Sequence, residues 1–115
     1  MPTYSPQIAS GSTNGKMVKV AATSTPGTLL HTAHATDYDE VYVWAVNSSG
    51  SGVKLTIELG GTGAPDDLIE KTIAAEDGLT LIVPGIRLTG GVVVRAFAAS
   101  GNVILCAVNV NRISS

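Results

Sequence analysis

The segment Val41-Tyr42-Val43-Trp44-Ala45-Val46 is the strongest β-strand signal in this chain. All but one of its residues are β-branched or aromatic, the types that strands favour. A loop of Asn, Ser and Gly follows over residues 47–52, and residues 53–59 then read Val-Lys-Leu-Thr-Ile-Glu-Leu. This alternation of apolar and polar side chains predicts a strand with one buried and one solvent-exposed face. The two strands are predicted to form a hairpin.

Further strand-like segments recur on both sides of this pair, between turns rich in Gly, Pro, Asn and Ser. They cover residues 17–22, 28–33, 66–75, 79–83, 92–98 and 103–110, with 86–88 as a candidate continuation past Pro84-Gly85. The segment 66–75 also has acidic residues that suit a short capped helix, but its Thr and Ile residues and its short length favour a strand. Residues 37–40 read as an acidic connection, and 92–98 with 103–110 as a second hairpin.

About eight short strands at regular spacing predict an all-β fold. The expected architecture is a single-domain antiparallel β-sandwich, either jelly-roll-like or immunoglobulin-like. A chain of 115 residues is one domain by its length. Residues 1–16 are rich in Pro, Ser, Thr and Gly and predict an extended N-terminal arm rather than a packed element. Residues 17–115 are assigned to the sandwich domain.

Three predicted strands, 41–46, 92–98 and 103–110, have apolar side chains on both faces. A two-layer sandwich buries only one face of each sheet, so the second apolar face needs a cover. A neighbouring subunit is favoured because the chain has little loop material, and a core closed by residues 1–16 is the alternative. A dimer and a trimer fit equally well on these grounds. The candidate protein-interface residues are Tyr4, Ile8, Tyr38, Tyr42 and Trp44.

Composition excludes several classes of partner. Charged residues make up 14% of the chain, against about 25% in typical domains, so part of the apolar surface is expected to be covered by another protein. The net charge of −2 argues against binding to nucleic acid or to an anionic membrane, both of which need a basic face. No signal peptide and no membrane-spanning apolar stretch is recognised, which predicts synthesis in the cytoplasm.

No set of residues has the spacing of a catalytic, cofactor or metal site. His31 and His34 are the only histidines and Cys106 is the only cysteine, so a zinc site lacks ligands. The acidic residues at 37–40 and 66–70 do not match a calcium-binding loop, and Cys106 reads as a small buried residue. The chain is therefore expected not to be an enzyme and to bind no cofactor or metal.

Two weaker motifs have alternative interpretations. Tyr38, Tyr42 and Trp44 could form a stacking platform for a carbohydrate, although residues at this spacing are more often core or interface. Asn47-Ser48-Ser49 matches a glycosylation sequon, which is interpreted as a chance match.

The second half of the chain resembles a known group of proteins. Residues 79–89 read Leu-Thr-Leu-Ile-Val-Pro-Gly-Ile-Arg-Leu-Thr, and they precede Val94-Arg95-Ala96, the strand 103–110 and the ending Asn111-Arg112-Ile113. Together with Val43-Trp44-Ala45-Val46-Asn47 and the alternating strand after it, residues 17–113 resemble small structural proteins of tailed bacteriophages. Within that group, a chain of this size is similar to capsid decoration, or cement, proteins.

The resemblance implies a virion protein on the capsid surface that braces neighbouring subunits of the major capsid protein. Its partners would be that protein and further copies of itself, with a trimer favoured. The arm at residues 1–16 would lie over a neighbour, and no catalytic residue is implied. A tail, neck or fibre component of the virion and a carbohydrate-binding β-sandwich module are the alternative functions.

Overall fold

The computed structural model describes residues 3–114, which form nine β-strands in two sheets that pack face to face. The strands are β1 Thr3–Ile8, β2 Val18–Val20, β3 Thr28–Thr32, β4 Tyr38–Asn47, β5 Val53–Leu59, β6 Leu68–Ile73, β7 Thr80–Leu88, β8 Val93–Ala98 and β9 Ile104–Ser114. The predicted all-β sandwich is confirmed. Met1 and Pro2 of the predicted arm, and Ser115 of the predicted domain, lie outside the described residues.

The order of the strands is that of a jelly roll rather than of an immunoglobulin domain. One sheet has the order β1-β9-β4-β7, with β2 also paired to β9, and the other has the order β3-β8-β5-β6. If β2 is counted as strand 1 and β9 as strand 8, the first sheet contains strands 1, 8, 3 and 6. The second sheet then contains strands 2, 7, 4 and 5. Two Greek keys produce this arrangement. β1 is an additional strand that pairs with β9 in line with β2.

Alternating side chains from both sheets meet in the core. The fully buried residues include Val41, Val43 and Ala45 from β4, Leu55 and Ile57 from β5, and Ile104 and Cys106 from β9. Complete burial of a Leu or Ile side chain contributes about 1.5–3 kcal/mol to the free energy of folding. The prediction that Cys106 is a small buried residue is confirmed, and burial raises the pKa of its thiol to about 12.

Both predicted hairpins are wrong because each pair of strands is divided between the two sheets. β4 and β9 lie in the five-stranded sheet, whereas β5 and β8 lie in the four-stranded sheet. At the crossover from β4 to β5, the buried side chain of Asn47 donates to the carbonyls of Ser51 and Ile73 and accepts from Ser49. The residues of a loop indicate that the chain turns, but they do not specify the sheet that it enters. The hydrogen bonds of Asn47 also keep this side chain, which is the asparagine of the sequon, buried in the fold.

Two predicted boundaries also need correction. Residues 38–40, expected in an acidic connection, begin β4 because Asp39 is buried on the inner face, where it has hydrogen-bond partners. Thr3–Ile8, expected in an unpacked arm, forms an edge strand because one side of β9 offers hydrogen-bond partners to its backbone along its whole length. The strand favoured within residues 66–75 is confirmed as β6, and β7 continues past Pro84 as a single strand.

Candidate interaction face

The five residues predicted for an interface share one surface. Tyr4 and Ile8 lie on β1, and Tyr38, Tyr42 and Trp44 lie on β4. Both strands flank β9, and residues directly opposite each other in paired strands point to the same face. The register therefore places all five on the outer face of the five-stranded sheet, which we name the open face. Its other members are Pro6, Lys19, Glu40, Val46, Leu81, Pro84, Arg87, Leu105, Ala107, Asn109, Asn111 and Ile113.

Large apolar side chains of the open face are accessible to solvent. Tyr4 is 62% exposed, Ile8 60%, Tyr38 54% and Leu81 46%. The alternative interpretation, in which residues 1–16 close the core, holds in part, because Ala9 is buried in the core and the Gly11 N–H donates to the Leu30 carbonyl of β3. The arm does not cover the open face along β1. β1 extends the sheet sideways by pairing with β9, and it does not lie over the open face.

Two stacked aromatic rings occupy the middle of the open face. Tyr42 and Trp44 have ring centroids 5.9 Å apart and an interplanar angle of 15°. Gly85 of β7 has a φ of +87°, and a Cβ atom there would lie 2.7 Å from the Tyr42 ring, so glycine is needed for this placement. The Tyr42 hydroxyl donates to Oε1 of Glu40 at 3.2 Å, and this bond raises the pKa of the phenol. The Tyr42 ring is thus fixed before any partner binds.

Open depressions lie around these rings. One is lined by Tyr4 and Tyr38 at one end of the face, another by Glu40 and Tyr42 near its middle, and a third by Trp44. Each is lined in part by residues predicted for the interface. The described surface therefore combines aromatic rings with concave sites on the same side of the sandwich.

Asn109 and Asn111 of β9 add hydrogen-bonding groups to the middle depression. They lie directly opposite Tyr42 and Glu40, respectively. Among the hydrogen bonds formed within residues 3–114, none involves either side-chain amide. Each amide therefore presents donors and an acceptor to whatever covers the open face.

The outer face of the four-stranded sheet differs from the open face because a turn covers it. Thr56 and Glu58 were expected on the solvent-exposed face of β5, but both are buried and only Lys54 is exposed among these polar positions. The Glu58 carboxylate accepts hydrogen bonds of 2.6 Å from the Thr25 hydroxyl and from the Gly27 backbone N–H. The turn before β3 is thereby held over this face, so the two sides of the sandwich are not equivalent.

A buried ionic cluster, which sequence reasoning missed, joins the two sheets at one end. Oδ1 and Oδ2 of Asp39 accept from Nε and Nη2 of Arg112 at 2.8 and 3.0 Å, and Oδ2 also accepts from Nε2 of His31 at 2.7 Å. The backbone N–H of His34 donates to the same carboxylate at 3.2 Å. Burial alone would raise the pKa of Asp39, but the hydrogen bonds from Arg112, His31 and His34 outweigh it and lower that pKa to about 2.

Ser10, His31 and Asp39 have the composition of a catalytic triad, but their hydrogen bonds differ from one. Nδ1 of His31 accepts from the Ser10 backbone N–H at 3.0 Å, so the ring proton lies on Nε2, facing Asp39. The Ser10 hydroxyl is 3.2 Å from Nδ1 and accepts from the Thr32 backbone N–H. A general base needs a free lone pair directed at the nucleophile. Here the lone pair of His31 Nδ1 accepts the Ser10 backbone N–H, and this bond holds the segment after β1 against β3.

No family model, curated protein or solved structure matches this chain. Within residues 3–114, no group of three or more His, Cys, Asp or Glu side chains is placed to hold a metal ion. The same residues include no helix with the length and apolar character needed to cross a membrane.

Proposed function

We propose that this chain is a structural protein of a bacteriophage virion, which binds the outside of the capsid and stabilises contacts between major capsid subunits. The observation that supports this most is the open face, an apolar and aromatic surface that the described chain leaves uncovered. Extended apolar patches of this kind mark contacts with another macromolecule. A structural role in an assembly requires such a surface and needs no catalytic group.

The fold is compatible with this proposal but does not distinguish it from other functions. Jelly rolls occur in viral capsid domains, but also in lectins and cupins, and one fold serves many functions. The resemblance of residues 17–113 to phage decoration proteins is what favours the capsid. The low charge content points the same way, because a chain with few charged residues gains from covering its apolar surface.

Particles that carry the chain are expected to break down at a higher temperature than particles stripped of it. A protein that binds only the assembled shell stabilises the shell by mass action. The measurement is the temperature of genome release for stripped particles before and after the purified chain is added back, together with its copy number by quantitative mass spectrometry. Tens to hundreds of copies are expected for a decoration protein.

Other outcomes of this experiment would change the assignment. A few copies per particle would indicate a tail, neck or fibre component. Particles without any peptide of this chain, or equal breakdown temperatures with and without it, would contradict the capsid proposal.

A carbohydrate-binding module is the second candidate, and the middle depression favours it. The Tyr42 ring and the Glu40 carboxylate lie there beside Asn109 and Asn111, whose side-chain amides form no hydrogen bond within residues 3–114. Ligand sites combine an apolar surface with a few convergent polar groups in this way. In this candidate, the ring would pack against a sugar and the polar groups would bind its hydroxyls.

If the carbohydrate candidate is correct, Trp44→Ala should abolish glycan binding and leave self-association intact, because the stack that supports Tyr42 is lost. Binding is measured by nuclear magnetic resonance titration of the full chain with cellobiose, lactose, maltose and chitobiose. Leu29→Ala, on the other sheet, is the control and should bind normally. Loss of self-association in Trp44→Ala, with no saccharide binding by the unmodified chain, would count against this candidate and favour a protein interface.

A further inference from the structure

We propose that a second copy of this chain occupies the open face, so that two sandwiches pack face to face about a two-fold axis. This inference rests on the proposed function in one respect, namely that the open face is a protein contact within the assembly. It assigns that contact to a second copy, so the capsid would be bound by the surfaces of the pair that remain outside this contact. The contact would involve the side of the five-stranded sheet on which Trp44, Leu81 and Ala107 lie in one row across three strands.

The open face is large enough for a stable dimer. β9 has 11 residues, which at about 3.4 Å per residue gives a length of about 37 Å. Four strand positions lie side by side in this sheet, and a spacing of about 4.8 Å gives a width of about 19 Å. Each copy would therefore cover about 700 Å², and the pair about 1,400 Å² in total, which is within the range of stable protein interfaces.

The chemistry of the open face is complementary to itself, as a two-fold interface requires. Its charged residues are Glu40, Arg87 and Lys19, and within one copy Nε of Arg87 lies 3.9 Å from Oε2 of Glu40. A second copy would bring its own acidic and basic groups to this pair, so charges of opposite sign can meet across the contact. The amides of Asn109 and Asn111 each have both donors and an acceptor, and they can bind the equivalent amides of a second copy. Aromatic enrichment with few charges is also typical of the centre of an interface.

Face-to-face pairing differs from the trimer that the resemblance implies. A two-fold axis brings one surface against itself, whereas a ring of three copies joins two different surfaces of each subunit. The outer face of the four-stranded sheet carries Leu29, Val93 and Phe97, but these side chains are only part-exposed and are not among the exposed large apolar residues. A turn covers this face at Glu58, and Lys54 and Glu70 form an ion pair of 2.8 Å there.

The test compares the self-association of the unmodified chain with that of Leu81→Glu. The unmodified chain is expected to sediment at equilibrium with twice the mass of one chain, which is 11.7 kDa. Leu81 is 46% exposed in the single copy, so its replacement by Glu leaves the charge in water when the chain is monomeric. In the dimer this charge would be buried without a partner, which should weaken association about 100-fold or more.

Leu29→Glu is the matched control because it introduces the same charge on the outer face of the four-stranded sheet, opposite Arg95. It should dimerise like the unmodified chain, and circular dichroism should show that both variants are folded. Dilution of the unmodified chain should also shift the nuclear magnetic resonance signals of the Asn109 and Asn111 side-chain amides.

Several results would overturn the pairing. These are a single-chain mass at every concentration, a three-chain mass, or an unchanged dimer in Leu81→Glu. Amide shifts caused by a saccharide in a monomeric protein would favour the carbohydrate candidate instead. If the chain is a monomer but is present in many copies per particle, the pairing is wrong and the capsid proposal is retained. If the chain is a dimer but is absent from particles, the pairing is retained and the capsid proposal is wrong.

Discussion

Asp39→Asn is expected to lower the free energy of unfolding by about 3 kcal/mol, because it removes the buried anion of an ion pair. The lower end of the range for buried pairs applies, since the Arg112 side chain is 26% exposed. The carboxylate accepts two hydrogen bonds from Arg112, one from the His31 ring and one from the His34 backbone. An amide in its place presents N–H groups to the guanidinium and leaves donors without an acceptor. A buried polar group that loses its partner destabilises the fold by more than the net contribution of the original hydrogen bond, because its desolvation is no longer compensated.

The measurement is urea denaturation, followed by the fluorescence of Trp44, the single tryptophan of the chain. Asp37→Asn is the control, since it makes the same change two residues earlier. Asp37 is part-exposed and lies 3.9 Å from Nδ1 of His34, so its replacement should change stability by less than about 1 kcal/mol. Equal losses for the two variants would show that the cluster does not stabilise the fold.

The same carboxylate predicts how stability depends on acidity. The pKa of Asp39 is about 2 in the folded chain, against an ordinary value of 3.8. Its contribution is therefore complete above about pH 4 and is lost as the pH falls through about 2. This lowering of the Asp39 pKa corresponds to a stabilisation of the folded state on the order of 2 kcal/mol. Asp39→Asn should remove this part of the acid dependence, whereas Asp37→Asn should retain it.

The Asp39 cluster could have been predicted in part from the alternation of the strand. Asp39 has the same parity as Val41, Val43 and Ala45, so a strand extended backwards to residue 38 would have placed it on the buried face. A charged residue at an inward position requires a partner of opposite charge. That the partner is Arg112, 73 residues later in the chain, could not be predicted, because it depends on the pairing of β4 with β9.

Local patterns predicted the strands better than their partners. The alternation in residues 53–59 gave the bounds of β5, and the two apolar faces of residues 41–46 indicated a surface that needs a cover. The division of neighbouring strands between sheets was missed, since a loop such as 47–52 serves a hairpin and a crossover equally well. The pairing of β1 with β9 joins opposite ends of the chain, and no short-range signal specifies it.

Ile57→Ala is expected to lower the free energy of unfolding by about 2–5 kcal/mol, because it leaves a cavity in the core between the sheets. Ile57 is fully buried on the inner face of β5, opposite Ala96 of β8 and Ile69 of β6. The protein interior is packed closely enough that its neighbours fill only part of the space left by the lost atoms. The measurement is the midpoint of urea denaturation at a concentration where the chain is monomeric.

Leu81→Ala is the matched control, since it removes a side chain of nearly the same size from the open face. Leu81 is already 46% exposed, so its truncation should cost the monomer less than about 1 kcal/mol while weakening the dimer. The two variants thus distinguish the roles of two surfaces, because the inner faces of the sheets are expected to stabilise the fold and the open face to bind a partner. A large loss of monomer stability in Leu81→Ala would contradict this division, since it would mean that the open face is packed within the single chain.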